Sequence, residues 1–497
     1  MHDRPRPAPI ERLVQSPTIR SGYASALAHI LIATILALLL LDDRPTTRRP
    51  ALIIDTAVPC PDDGLSGEPE AAAAARPIDL QGDGLDAAAD PVAPEPIITA
   101  ISMPVLPTSD APSLVPPSLA DVVALIASPR SSSTPEEAGA AGTLAAGGRD
   151  AFADRRDGAR GRLFAERGGT PASEAAVERG LAWLALHQAV DGSWQFDLSG
   201  CRCDGACRNR GTVTSTTAAT GLALLPFLGA GHTHLEGRYR ESVNRGLYYL
   251  LSRMQPTARG GDLSEGTMYG HGVATLALAE ALGMSRDETL EKPLAEAVRF
   301  IVTSQDLYGG GWRYLPGQPG DTTVTAWQFA ALKSASLAGV AVPSPTIDGV
   351  SRFLDRVQTQ DGDLYGYLSP AARPCTSAIG LFCRLHLGWE RRDSIDRGLA
   401  ALAHPGPDPA QVYRNFYLAQ ALLQAEHRAW PRWNARNRDQ LVSTQATKGH
   451  ETGSWFMAEP DSAPGGRLAH TALAVLTLEV YYRILPLYRE DAMAAGW

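Results

Sequence analysis

Positive charge is in short supply in this chain. Against 54 Asp and Glu stand 45 Lys and Arg, for a net charge of -9 at pH 7 and a pI near 5.7. No basic surface offers itself to a phosphate backbone, so nucleic acid is excluded as a partner. Lysine is scarce and nearly all the positive charge is arginine, while Ala, Gly and Pro are abundant. That bias belongs to the whole sequence and weakens alanine runs as a sign of helix. What the chain has in quantity is apolar side chains: at 44% of 497 residues they suffice for a sizeable core, arranged as two or three domains or as one large helical one.

The stretch "ASALAHILIATILALLLL", Ala24 to Leu41, contains no charge at all. It is long enough to cross a bilayer, which takes roughly 18 or more such residues. We read residues 1–22 as an N-terminal tail and 23–41 as a single transmembrane helix. Arg4, Arg6, Arg12 and Arg20 precede it, and Arg44, Arg48 and Arg49 follow beside Asp42 and Asp43, an asymmetry that leans towards a cytoplasmic N-terminus and an extracytoplasmic domain. A cleavable signal peptide is the rival reading, but no A-x-A site follows Leu41. Pro59 also spoils "AVPC", ending at Cys60, as a lipidation site. Residues 42–165 have few aromatics and no sustained apolar period and are rich in Ala, Pro, Gly, Asp and Ser, the composition of a mostly disordered linker.

Beyond residue 165 one pattern recurs: "AAVERGLAWLALHQAVDGSW", "SVNRGLYYLLSRMQPTARGGDL", "AEAVRFIVTSQDLYGGGW", "IDGVSRFLDRVQTQDGDLYGY", "IDRGLAALAHPGP" and "RDQLVSTQATKGHETGSW". Each copy begins as an amphipathic helix, and most close in Gln, a Gly-containing turn and an aromatic. Between the copies lie segments apolar nearly all round, such as "STTAATGLALLPFLGAG" and "DTTVTAWQFAALKSASLAG", the texture of buried helices. Six helix pairs at a period near 50 residues mark a repeat architecture. An all-buried inner ring inside a half-exposed outer ring satisfies both helix types, which predicts an all-α fold, an α/α toroid over residues 166–490.

The endings Gln188 to Trp194 and Gln305 to Trp312 resemble the QW motif of the squalene-hopene cyclase and protein prenyltransferase β-subunit superfamily. The resemblance implies that these Gln and Trp residues are structural. It also implies a proton-donating D-x-D-D-T-A run at an inner helix start, and the stretch that corresponds is Asp321-Thr322-Thr323-Val324-Thr325-Ala326. Thr323 and Val324 replace the catalytic carboxylates, so Asp321 reads best as a helix N-cap. The zinc chemistry of the prenyltransferase branch needs a late Asp, Cys and His, and no cysteine follows Cys383. The Cys-Gly-Glu-Gln of thioester domains is absent too.

Two groups remain that can bear function. "GCRCDGACRNRG" places Cys201, Cys203 and Cys207 in one loop. With Asp204, or a histidine from elsewhere, they could hold zinc or another soft ion. A disulfide is the alternative, one thiol pairing with Cys60, Cys375 or Cys383. No other cofactor is expected. The starts of the inner helices carry Tyr269, His271, Asp321, Trp327, Tyr413, Tyr417, Arg467 and His470, which a closed ring would gather at one mouth. The expectation is a membrane-anchored domain that binds a lipid or an envelope polymer or acts as a scaffold. The alternative is a divergent enzyme on an isoprenoid or glycan, with Asp321, His271 and Tyr269 as acid and base candidates.

Overall fold

The computed structural model describes residues 159–203, 205–458 and 462–483, together with Phe152 and Arg155. All of these fall in the unit Ala57–Trp497. The expected tail, the 23–41 span and nearly all of the linker lie outside the described residues.

Fourteen α-helices and one small hairpin make up the described chain: α1 (Ala159–Glu166), α2 (Pro171–Leu186), α3 (Thr216–Gly229), α4 (Arg240–Arg253), β1 (Gln255–Thr257), β2 (Gly260–Asp262), α5 (Met268–Ser285), α6 (Glu291–Thr303), α7 (Thr322–Leu337), α8 (Ser344–Val357), α9 (Pro374–His386), α10 (Arg392–Ala403), α11 (Val412–Gln424), α12 (Trp430–Thr444), α13 (Gly466–Leu478) and α14 (Val480–Arg483). The odd-numbered helices α3 to α13 touch in a closed cycle, α13 returning to α3. The even-numbered helices α2 to α12 pack around them. Helix α1 begins ahead of the expected boundary at residue 166 and packs on α14.

Local sequence dictates which helix goes where. Helix α8 buries Ile347, Val350, Phe353, Leu354 and Val357, one stripe at i, i+3, i+4 and i+7 that can cover only one neighbour. In α3 every residue but the first is buried, so it needs partners on all sides. At Gly221 in α3 an added Cβ would come within 2.8 Å of the Ala274 Cα in α5, and the missing side chain is what lets these two inner helices approach so closely. Side-chain caps mark the starts: Thr170 and Ser173 form a capping box on α2, Ser215 caps α3, Thr267 caps α5 and Asp321 caps α7.

The Gln–turn–aromatic endings have a repeated geometry. The Gln188 amide donates to Gly192 O in its own turn (2.9 Å) and to Ser242 O in α4 (2.9 Å). Gln305 does the same towards Gly310 and Thr346, and Gln445 towards Gly453 and Ala176 (both 2.8 Å). Each tryptophan N–H caps a carbonyl at the end of its own outer helix: Trp194 on Leu184, Trp312 on Ile301, Trp455 on Leu441. Each backbone N–H of these tryptophans donates to an inner-helix threonine, Thr220, Thr325 or Thr471, at 3.0 Å. Since Ala176 belongs to α2, the Gln445 tie joins the last pair to the first. In the fourth copy Tyr365 stands in for the tryptophan, its N–H bonded to Ser377 Oγ at 2.9 Å.

The single-pass membrane localisation is corrected on one point: among the described residues no helix is long and apolar enough to cross a membrane. The apolar inner helices are 13 to 18 residues long, short of the roughly 20 a span needs, and their apolar faces are spent on one another.

Replacing Gln445 by alanine strands two buried backbone carbonyls at the closure. It is expected to cost about 2–4 kcal/mol, read as a lowered urea midpoint with an unchanged m-value; Arg432→Ala on the exposed face of α12 is expected to leave the midpoint in place.

Candidate functional site

Four of the expected mouth residues do meet, at the centre of the ring. The Trp327 indole N–H points between the hydroxyls of Tyr413 (2.7 Å) and Tyr269 (2.9 Å), and the Tyr269 hydroxyl donates to Tyr413 (3.2 Å). Phe416 lies nearly parallel to Trp327 at 6.1 Å, and Tyr417 meets it edge-on. Burial pushes the Tyr269 phenol up to about 12 and the Tyr413 phenol well above its ordinary value. These phenols are neutral hydrogen-bonding groups, and together the rings plug the axis.

The other four point elsewhere. Asp321 caps α7, its Oδ1 accepting from Val324 N–H and from the Thr323 hydroxyl, both at 2.8 Å. Burial raises this carboxyl to about 6 against those bonds and the Arg313 guanidinium, 3.9 Å away. His271 faces outward: Nδ1 accepts from Leu263 N–H and Nε2–H donates to Ala297 O, both at 3.1 Å, and burial holds it neutral, down to about 4. His470 accepts from Met457 N–H and pairs with the Ser462 hydroxyl. Arg467 is spent on Ser454 (2.9 Å) and Asn209 (2.7 Å). The turns after the outer helices fold back over the inner helix starts and engage these groups.

The open mouth is at the opposite end, where the inner helices stop. A cavity of about 60 Å³ there is lined by Trp327, Phe382, Phe416 and Tyr417 as a floor and by Glu280, Lys333, His386, Gln420 and Gln424 as a rim. Lys333 is one of three lysines in the chain, and burial lowers its amine to about 8. The His386 Nδ1–H donates to Phe382 O (2.8 Å), leaving Nε2 to accept from the Gln424 amide (3.1 Å). Burial drives this imidazole down to about 3, with the Lys333 charge adding to the effect. The Gln424 Oε1 is buried without a hydrogen-bond partner among the described residues. Glu280 is closed off as an acid. Burial would raise it, but Arg155 (2.8 Å) and Arg483 (2.9 Å) outweigh that and hold it below the ordinary carboxylate value. A larger hollow of about 250 Å³ between α11 and α12 has no titratable side chain in its lining.

Sequence reasoning missed Lys333, His386, Gln420 and Gln424. Their signal was present as polar residues in the last turns of otherwise apolar inner helices, "ALKS", "CRLH" and "AQALLQ".

No family model matches this chain and no curated protein does. Among solved structures, the GH76A α-1,6-mannanase of Salegentibacter sp. HEL1_6 is similar over 62% of this chain and 98% of its own, at 10% identity and a TM-score of 0.46. A D-mannose isomerase is similar over 62% and 96%, at 14% identity and 0.45. A glycoside hydrolase family 76 mannosidase of Bacteroides thetaiotaomicron VPI-5482 is similar over 64% and 100%, at 12% identity and 0.43. The expected kinship with squalene cyclases and prenyltransferases is thereby corrected: the solved structures just named are a mannanase, a mannose isomerase and a mannosidase. The Gln–Trp tie solves a packing problem of stacked helix pairs, and solving it carries no commitment to polyene chemistry. Thr323 and Val324 lie in the first turn of α7 with no carboxylate in their place.

Asp321→Asn keeps an acceptor for Val324 N–H and Thr323 and is expected to hold stability within about 1 kcal/mol, whereas Asp321→Ala loses about 1 kcal/mol or more. The folded carboxyl titrates above its unfolded value, so the stability contributed by its protonated form is present at acid pH and is lost as pH rises through about 6. Melting temperatures from pH 4 to pH 8 should therefore show Asp321→Asn gaining on wild type towards the alkaline end; a gap that stays constant would contradict this.

Proposed function

We propose that this domain binds a neutral polyhydroxylated ligand, of the carbohydrate class, at the mouth formed by the C-terminal ends of the inner helices. The observation that carries the reading is the Gln424 Oε1, a buried acceptor without a partner among the described residues, set in the rim above an aromatic floor. A buried acceptor left unpaired costs about 1–3 kcal/mol, and a ligand hydroxyl would recover it. The aromatic floor offers flat apolar surface for the C–H face of a sugar ring, and Gln420, Lys333 and the amide of Gln424 offer convergent polar groups. A lipid chain would leave the Gln424 Oε1 unpaired. The cavity is below the roughly 300–1,000 Å³ of a drug-sized site, so a ligand would present one end to it and lie across the mouth.

A second reading, a glycan-acting enzyme, is favoured by Lys333. An amine lowered to about 8 is about one-tenth neutral at pH 7, which suits a general base or a nucleophile towards a carbonyl. Hydrolysis by two opposed carboxylates is not supported, because Glu280, the one carboxylate in the lining among the described residues, is held by two arginines.

Titration calorimetry of the protein against neutral oligosaccharides tests the reading. Binding is expected with wild type and is expected to fall at least tenfold in Gln424→Leu, with the melting temperature of the free protein unchanged or raised. Absence of binding across the panel, or binding indifferent to Gln424, would sink it. Lys333→Met is expected to raise the melting temperature at pH 7, since protonating a buried amine costs stability below about pH 8. That gain should vanish as pH climbs through the unfolded lysine value near 10.4. A loss of turnover on a carbonyl sugar in the same variant would favour the enzyme reading.

A further inference from the structure

We propose that His187, Cys201, Cys203 and Cys207 form a tetrahedral zinc site that ties the α2–α3 loop to the end of α2 and so shapes the loop that packs on the last helix pair. The four side chains come from the end of α2 and from the loop that follows it, and all are buried. The Cys201 and Cys203 sulfurs lie 2.7 Å apart, and the His187 Nε2 lies 3.0 Å from the Cys207 sulfur. The donor atoms of His187, Cys201 and Cys203 fall within 4.8 Å of one another, a group that does not take in the Cys207 sulfur, and Cys207 joins it through its 3.0 Å contact with His187 Nε2. Zinc bonded to sulfur at about 2.3 Å and to nitrogen at about 2.0–2.1 Å sets neighbouring donors roughly 3.5–3.8 Å apart, a spacing the observed separations bracket. None of the three thiols is in a disulfide, and three thiols with one imidazole are a complete Cys₃His set.

The histidine is prepared for this role. Its Nδ1–H donates to Trp183 O at 2.7 Å, which fixes the tautomer and turns the Nε2 lone pair towards the sulfurs, as the outer hydrogen bond of a ligating histidine does. The Trp183 ring stacks on the imidazole at 3.9 Å and its own N–H holds His450 O at 3.0 Å. Three thiolates around a divalent ion leave one net negative charge. Arg467 donates to Arg208 O at 3.2 Å, one residue from Cys207, and its charge offsets it. Asp204, the other ligand considered from the sequence, lies outside the described residues and is not required.

The loop so organised is the one that closes the ring. Cys207 contacts His450 O, Arg208 pairs with Glu451 at 2.8 Å, and Thr212 and Val213 donate their N–H groups to Pro464 O. Metal binding at these four residues would therefore stabilise the contact between α2–α3 and α12–α13, while releasing the thiol protons.

The test uses the full chain purified under reducing conditions without chelator. Plasma mass spectrometry is expected to find one zinc per chain, released when the thiols are titrated with a mercurial. Cys207→Ser and His187→Ala are expected to drop that to a small fraction, and Cys383→Ser, a buried thiol elsewhere, to leave it unchanged. Should the loop variants fail to fold, cobalt reconstitution of the wild-type protein decides. Thiolate-to-cobalt charge transfer together with tetrahedral d–d bands supports the site, and an octahedral spectrum overturns it. A folded wild-type chain that takes up no zinc after reconstitution, or whose Cys201, Cys203 and Cys207 are recovered as disulfides, likewise overturns it.

Discussion

The structure depends on a glutamine side chain that bonds to two backbone carbonyls in different helix pairs. An outer helix followed by a reversal leaves buried carbonyls at its end, and buried polar groups must be paired. The Gln amide supplies two donors in one rigid plane, one for its own turn and one for the next outer helix. The aromatic that follows takes a third carbonyl and, through its backbone N–H, an inner-helix hydroxyl. One short motif thus fixes the turn, the spacing to the next pair and the position of the inner helix. Repeated at Gln188, Gln305 and Gln445, it converts a row of helix hairpins into a ring.

That economy explains why the fold was legible and the site was not. Helix type follows from the number of apolar faces, which a sequence displays directly, and the Gly-Trp endings gave the period. The inner helix starts were also found, at Asp321 and at the stretch carrying Tyr269 and His271. The error lay in reading polar residues at those starts as a mouth. A turn that folds back over a helix start needs partners there, and His271, Asp321, Arg467 and His470 are those partners. Only Tyr269 and Tyr413, in the first turns of α5 and α11, and Trp327 and Tyr417, in the second turns of α7 and α11, reach the axis. Residues such as Lys333 and Gln424 gave little warning, because a single polar residue in the last turn of a helix is ordinary and only ring closure turns four such residues towards each other.

The cysteine loop shows the complementary limit. Its spacing in the sequence was that of half a site, and the histidine that would complete it sits fourteen residues before Cys201, hidden as the residue preceding a structural glutamine. Distance along the chain was no guide, because the loop doubles back on the end of its own outer helix.

The cyclic contact of the inner helices also bears on how the chain is made. Helix α3 ends at Gly229 and its partner α13 begins at Gly466, so one apolar face of α3 leaves the ribosome long before anything can cover it. At about 5–20 residues per second, that interval is on the order of 10–50 s. A row of helix pairs can grow pair by pair, but this row has a sticky leading edge until the last pair arrives, and a nascent chain of this shape has a built-in need for shelter during its own synthesis.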